Sequence, residues 1–195
     1  MAHYYSEKPE SESLERTLHY EFNGRTFTFV SDTSVFSKDH VDYATDLLLK
    51  TIKTSAEMKR GLDLGCGYGV IGIVLAKENA LDMTFSDVNE RALALCERNL
   101  KANQVEGTVI KSDGFTSILG TFDIIVTNPP IRIGKTSLYG MFHQAYQHLN
   151  DTGELWFVMH KKHGVQSALT YFESFSGPEV VKRKKGFHII RIRKD

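Results

Sequence analysis

Apolar and polar residues alternate with a period of two in two short runs, Thr17 to Phe22 and Arg25 to Val30, the pattern of strands with one buried face. Asn23-Gly24 separates them and suits a type I′ hairpin turn, whose two central positions both need positive φ. Beyond Asp32 to Phe36 the period lengthens. Val41, Ala44, Leu47, Leu48 and Ile52 then mark a helix that Ser37 or Asp39 is placed to cap. The polar stretch before the hairpin, to about Ser13, reads as an exposed arm.

From Gly61 onward short apolar runs alternate with amphipathic segments, which predicts a parallel sheet covered by helices on both faces. Strands are expected at Gly61 to Leu64, Met83 to Ser86, Thr108 to Ser112, Phe122 to Thr127, Glu154 to His160, Glu179 to Arg183 and Phe187 to Arg193. Helices fit between them at Val70 to Lys77, Glu90 to Ala102, Leu138 to His148 and Val165 to Phe175. Only Lys184-Lys185-Gly186 joins the last two strands, so they are expected to pair antiparallel at one end of the sheet. The expected fold class is α/β, a Rossmann-like seven-stranded sheet, mostly parallel, with a C-terminal antiparallel hairpin and a small N-terminal hairpin and helix. Residues 1–55 form the extension and 56–195 the core.

Composition narrows the class without naming a chemistry. The 195 residues are 41% hydrophobic and 25% charged, enough for one domain with a substantial core. The formal net charge of zero argues against a protein that binds polyanions by overall charge. No apolar run is long enough to span a bilayer, and the start has no basic-then-apolar leader profile, so the cytoplasm is the expected location and no membrane partner is expected. The two cysteines, Cys66 and Cys96, lie in a glycine-rich segment and a helical pattern, and neither a disulfide framework nor a metal site is expected.

The first parallel strand runs into Asp63-Leu64-Gly65-Cys66-Gly67-Tyr68-Gly69, the place where a doubly wound sheet binds a nucleotide-like ligand. Gly65, Cys66, Gly67 and Gly69 would form the cradle. Gly67-Tyr68-Gly69-Val70-Ile71-Gly72 also satisfies the dinucleotide pattern G-x-G-x-x-G, so the loop alone does not choose a ligand. Asp63, just before the glycines, suits the cationic amino acid end of S-adenosylmethionine better than a pyrophosphate, which it would repel. About twenty residues on, Asp87 with Val88 and Asn89 ends the second strand at the position that holds ribose hydroxyls, and fits either cofactor. After the third strand, Asp113 and Gly114 fall where a carboxylate would accept the adenine amino group with an apolar neighbour over the ring, although a turn or helix cap also explains Asp113.

The strand ending at Thr127 delivers Asn128-Pro129-Pro130-Ile131 to the same cleft. The prolines have no N–H, so they leave the Asn128 side-chain oxygen and backbone carbonyls as acceptors in a rigid loop. Such a cradle would hold a planar N–H₂ group by both N–H bonds with its lone pair toward an incoming methyl, using position and electrostatics rather than a tuned base. Asn128, Pro129 and Pro130 are the expected catalytic residues, with Asn128 also at the cofactor; a tight strand-exit turn is the plain structural alternative.

Asp63-Leu64-Gly65-Cys66-Gly67-Tyr68-Gly69, Asp87-Val88-Asn89-Glu90-Arg91-Ala92 and Asn128-Pro129-Pro130-Ile131-Arg132 resemble the small-domain amino-methyltransferase family, most closely its 16S ribosomal RNA guanine-N2 branch. Val35-Phe36-Ser37-Lys38, Gly153-Glu154-Leu155-Trp156 and Lys161-Lys162-His163-Gly164 extend the resemblance over nearly the whole chain. It implies S-adenosylmethionine as donor, N2 of a guanine as target, and ribosomal RNA or the small subunit as partner of a monomer or homodimer. The fourth position of the Asn-Pro-Pro motif, aromatic and base-stacking in much of the family, is Ile131 here, so Phe36 and Phe142 become candidates for that role. Arg132, Lys135 and Lys161, with Lys162, would meet phosphates at the cleft mouth. A solvated turn explains Lys184-Lys185 as well as RNA contact does. His160 and His163 are expected on the rim, without a metal. Two other readings remain: methylation of a glutamine side-chain amide on a translation factor, and a non-catalytic RNA-binding assembly factor.

Overall fold

A computed structural model describes residues 14–33, 39–130, 133–174 and 177–194. Phe36, Ile131 and Arg132, each expected to contact substrate, lie outside them, as does Ser37. The elements run β1 (Arg16–Phe22), β2 (Arg25–Ser31), α1 (Tyr43–Leu49), β3 (Arg60–Leu64), α2 (Val70–Asn79), β4 (Asp82–Asp87), α3 (Glu90–Ala102), β5 (Gly107–Lys111), β6 (Phe122–Thr127), α4 (Lys135–Gln147), β7 (Leu149–His160), α5 (Val165–Glu173), β8 (Glu179–Lys184) and β9 (Phe187–Arg193). Seven strands form one sheet in the order β5-β4-β3-β6-β7-β9-β8, parallel as far as β7 and antiparallel at β9 and β8. The α/β class with its antiparallel end is therefore as expected.

Two apolar clusters cover the two faces. One joins α1, α2 and α3 with Phe27 and Phe29 of the hairpin; the other joins α4 and α5 around Phe142, Phe157 and Phe172. The rings of Phe142 and Phe157 lie 4.4 Å apart and Phe142 is fully buried, so it is core and not a platform for a base.

The hairpin turns at Asn23 and Gly24, with φ of 49° and 75°. Its outer edge is closed by side chains rather than by a strand. Asn99 on α3 and Asn103, the residue that caps its C-terminus, each accept a backbone N–H and donate to the carbonyl of the same β2 residue, Val30 and Thr28 respectively. Two amides thus imitate a neighbouring strand, and the hairpin is built into the core.

Helix α1 starts later than the periodicity suggests. Asp42, not Asp39, caps it, accepting the N–H groups of Ala44 at 2.9 Å and Thr45 at 3.2 Å. Strand β7 begins at Leu149, five residues before the expected Glu154, because Leu149 pairs with Phe122 across an irregularity that polar Asn150 to Thr152 conceal. No helix of the described residues is long and apolar enough to cross a membrane.

Candidate active site

Parallel strands point their C-terminal ends to one side, so β3, β4, β5, β6 and β7 deliver their exit loops to a shared edge. A cavity of about 920 Å³ lies along it. Gly65, Cys66 and Gly67 line it from β3, Asp87, Val88 and Asn89 from β4, Asp113 and Gly114 from β5, and Asn128, Pro129 and Pro130 from β6. These residues, dispersed over the sequence, are brought together.

The glycine loop is fastened to β4. Gly65 and Cys66 both donate backbone N–H bonds to the Ser86 carbonyl, at 2.8 and 2.9 Å. Gly67, at φ 55°, donates to the Asp87 carboxylate at 2.9 Å, and nothing lies within 4 Å of where a Cβ would stand on it. The other Asp87 oxygen accepts the Asn89 N–H. Burial raises the Asp87 pKa, against the pull of the Asn89, Gly67 and Val88 amides. The Asn89 side chain caps α3 through the N–H groups of Arg91 and Ala92, so its amide serves the fold.

Two expected cofactor residues stand behind the wall. Asp63 is buried, and one oxygen accepts the Gly72 N–H at 2.8 Å while the other has no partner among the described residues. Burial, opposed by the Gly72 bond and assisted by the Asp87 charge, pushes its pKa up to about 7. Gly69 faces α3, where an added Cβ would come within 2.7 Å of the Cys96 sulfur. Phe115 likewise lies outside the lining, buried and stacked on His148 at 4.7 Å. Asp113 is exposed on the wall, in a turn that Ser112 organises by donating to the Gly114 carbonyl and accepting the Ser117 N–H.

At the β6 exit the half-buried Asn128 donates from Nδ2 to Thr45 Oγ1 of α1 at 3.2 Å. Pro130 accepts the Ile133 N–H, and among the described residues nothing donates to the Pro129 carbonyl. The remaining walls are α1 with Asp42 and Thr45, α4 with Met141 and Gln144, and the strand ends bearing His160 and Phe187. The Phe187 ring packs edge-on against His160 at 4.8 Å. Thr45, Gln144 and Phe187 carry no local motif, and sequence reasoning did not find them. His160 and His163 line the cavity. Desolvation and the positive groups around His160 hold its pKa below the ordinary value. Lys135 and Lys161 are exposed and outside the lining; the Lys161 N–H bonds the Gly186 carbonyl at 2.7 Å, setting the Lys161–His163 turn beside the β8–β9 turn. Among the described residues no group of three His, Cys, Asp or Glu could hold a metal ion.

A glycine cradle with open space above it, a carboxylate on the neighbouring strand and an acceptor loop on the next lie on a Rossmann-like sheet, and with the family match given next they belong to an S-adenosylmethionine-dependent methyltransferase. The pattern of the methyltransferase small domain matches residues 26–191, and the chain belongs to that family. It is 42% identical over 98% of its length to the uncharacterized protein YbxB of Bacillus subtilis (strain 168), covering 98% of that protein. It is 37% identical to the ribosomal RNA small subunit methyltransferase C of Haemophilus influenzae (strain 86-028NP), over 75% of this chain and 48% of that one. The chain thus spans about half the length of the methyltransferase C relatives it matches. Among solved structures, the T. thermophilus 16S rRNA N2 G1207 methyltransferase, in complex with AdoMet and guanosine, superposes with a TM-score of 0.81 at 24% identity, over 94% of this chain and 52% of that one, a likeness of fold.

Proposed function

We propose that the protein transfers a methyl group from S-adenosylmethionine to the exocyclic N2 amine of a guanine in small-subunit ribosomal RNA. The observation that carries this reading is the Asn128 amide, standing on the cavity wall with its nitrogen bonded to Thr45, which leaves Oδ1 and the Pro129 carbonyl, unclaimed among the described residues, as paired acceptors for an N–H₂ group. The glycine loop, Asp87 and Asp113 would hold the cofactor, with Asp63 buttressing the loop from behind. When bound, the cofactor supplies an electrophilic methyl on a sulfonium, and the electron pair of the broken S–C bond stays on sulfur as the N–C bond forms. Asn128 and Pro129 would hold both N–H bonds and turn the nitrogen lone pair toward the methyl; the surplus proton leaves afterwards to solvent.

The names of the Haemophilus influenzae relative and of the T. thermophilus structure support a ribosomal RNA substrate and a guanine target. Phe187, which lines the cavity, would offer its ring to a planar base, and Phe36, Ile131 and Arg132 would contact the substrate as their motifs imply. Labelled methyl transfer to stripped small subunits, whole ribosomes and a translation-factor preparation, followed by nucleoside digestion, tests the reading. N2-methylguanosine from the small subunit is the expected product. Label confined to protein sinks the RNA assignment and supports the glutamine amide in its place; binding of RNA with no transfer at all supports the assembly factor.

A further inference from the structure

The proposed chemistry asks Asn128 to present oxygen, not nitrogen, to the amine, and a side-chain amide has no intrinsic preference between its two ends. We infer that Thr45, on the first turn of α1, is the positioning residue that holds the amide in this orientation, its hydroxyl accepting an N–H bond from Asn128 Nδ2 and leaving the oxygen to the substrate. This inference rests on the amine-cradle reading of Asn128.

Three observations carry it. Asn128 Nδ2 donates to Thr45 Oγ1 at 3.2 Å, across 83 residues of sequence. Thr45 is buried at 6% exposure, and both residues line the same cavity, so the bond lies at the site itself. The residue is also held through its own backbone. Asp42 caps α1 and accepts the Thr45 N–H at 3.2 Å, while Leu47 and Leu48 anchor the helix in the core. The N-terminal extension therefore contributes a group to the site rather than merely covering it. Were the amide reversed, its N–H₂ would face the amine with donors against donors, and the cradle would keep only one of its two acceptors.

The test compares Thr45→Val, which keeps the shape and removes the hydroxyl, Thr45→Ser, which restores it, and Thr45→Ala as a second variant without it, all beside Asn128→Ala. Melting temperature and cofactor affinity, measured for each, identify folded protein. Thr45→Val and Thr45→Ala should lower kcat roughly 10- to 100-fold with KM for the cofactor little changed, because a misdirected acceptor costs rate rather than cofactor binding. Thr45→Ser should recover to within about threefold by the same argument. In ligand-free protein, the side-chain amide resonance that vanishes in Asn128→Ala should shift in Thr45→Val and hold its place in Thr45→Ser. An unmoved resonance and wild-type kcat in both hydroxyl-free variants, with Asn128→Ala inactive, overturn the inference and spare the cradle. An active Asn128→Ala overturns the cradle and, with it, the catalytic role given to Thr45.

Discussion

The Asp87 carboxylate accepts the backbone N–H of Gly67 at 2.9 Å, so the residue proposed to hold the cofactor ribose also fixes the glycine loop. Removing the side chain should act twice, abolishing charge-assisted bonds to the ligand and freeing the loop. Asp87→Ala should weaken S-adenosylmethionine binding on the order of 10- to 100-fold, since a hydrogen bond to a charged group contributes about 1.5–3 kcal/mol. Asp87→Asn keeps one good acceptor where Gly67 and Asn89 now have two, and should fall in between. Titration calorimetry on the two variants decides it; equal and unaltered affinities would remove Asp87 from the site.

Asn99 ties three pieces together. Its oxygen accepts the Val30 N–H, and its nitrogen donates to the carbonyls of Val30 and of Tyr68 in the glycine loop. Truncation to Ala leaves one donor and two acceptors unpaired in a buried place, so Asn99→Ala should cost roughly 2–4 kcal/mol and lower the melting temperature by about 5–10 °C. Asn99→Asp keeps the acceptor without the donor, and should be destabilised as well. Thermal melts read the stability. A parallel cofactor titration reads the Tyr68 arm, with weaker binding expected in both variants.

The parts of this site that were legible in the sequence are those whose signal is local. The glycines, Asp87 and Asn128-Pro129-Pro130 sit at strand exits, and a parallel sheet gathers strand exits at one edge, so order along the chain was enough to bring them together. The partner of Asn128 was not legible, because Thr45 lies 83 residues away on a helix whose pattern gives only its apolar face. Asp63 and Gly69 show the converse. Their place in the glycine motif suggested contact with the ligand, but one carries the Gly72 N–H and the other makes room for Cys96, services to the loop that composition cannot distinguish from binding. The start of β7 was hidden for a similar reason, since Asn150 is held there by its bond to Asp123 on β6 rather than by being apolar.

Asp63 should make stability depend on pH. Its pKa rises from 3.8 to about 7 on folding, chiefly because burial disfavours the charge. The folded state therefore holds a proton that the unfolded chain releases, and stability falls as pH climbs between about 4 and 7, the full penalty applying above that window. Asp63→Asn keeps an acceptor for Gly72 and has no charge to bury. The variant should lose this part of the pH dependence and melt higher than wild type at pH 8 by on the order of 5 °C in the absence of ligand. Superimposable wild-type and variant profiles from pH 4 to 8 would show that Asp63 does not titrate there.

The lysines around the mouth should govern how RNA approaches rather than how fast it reacts. Lys135, Lys161, Lys162, Lys184 and Lys185 are all exposed, and among the described residues none is in an ion pair. The bond from Lys161 to the Gly186 carbonyl holds the two lysine turns side by side, and the Lys135 side chain reaches close to Gly164 next to them. The chain has no net charge, so the field that attracts phosphates has to come from such a local cluster. Neutralising Lys161 and Lys162 together should raise KM for RNA roughly tenfold at moderate salt, leave kcat close to wild type, and reduce the slope of log affinity against log salt by about 1–2, one for each phosphate that no longer meets a lysine. The double variant Lys184→Ala, Lys185→Ala, one turn away, should give a change of the same sign if the RNA track crosses both turns. Filter binding over a salt series separates the cases: a reduced slope for the first pair alone confines the track to the Lys161–His163 side, and unchanged slopes for both place the phosphates on another face.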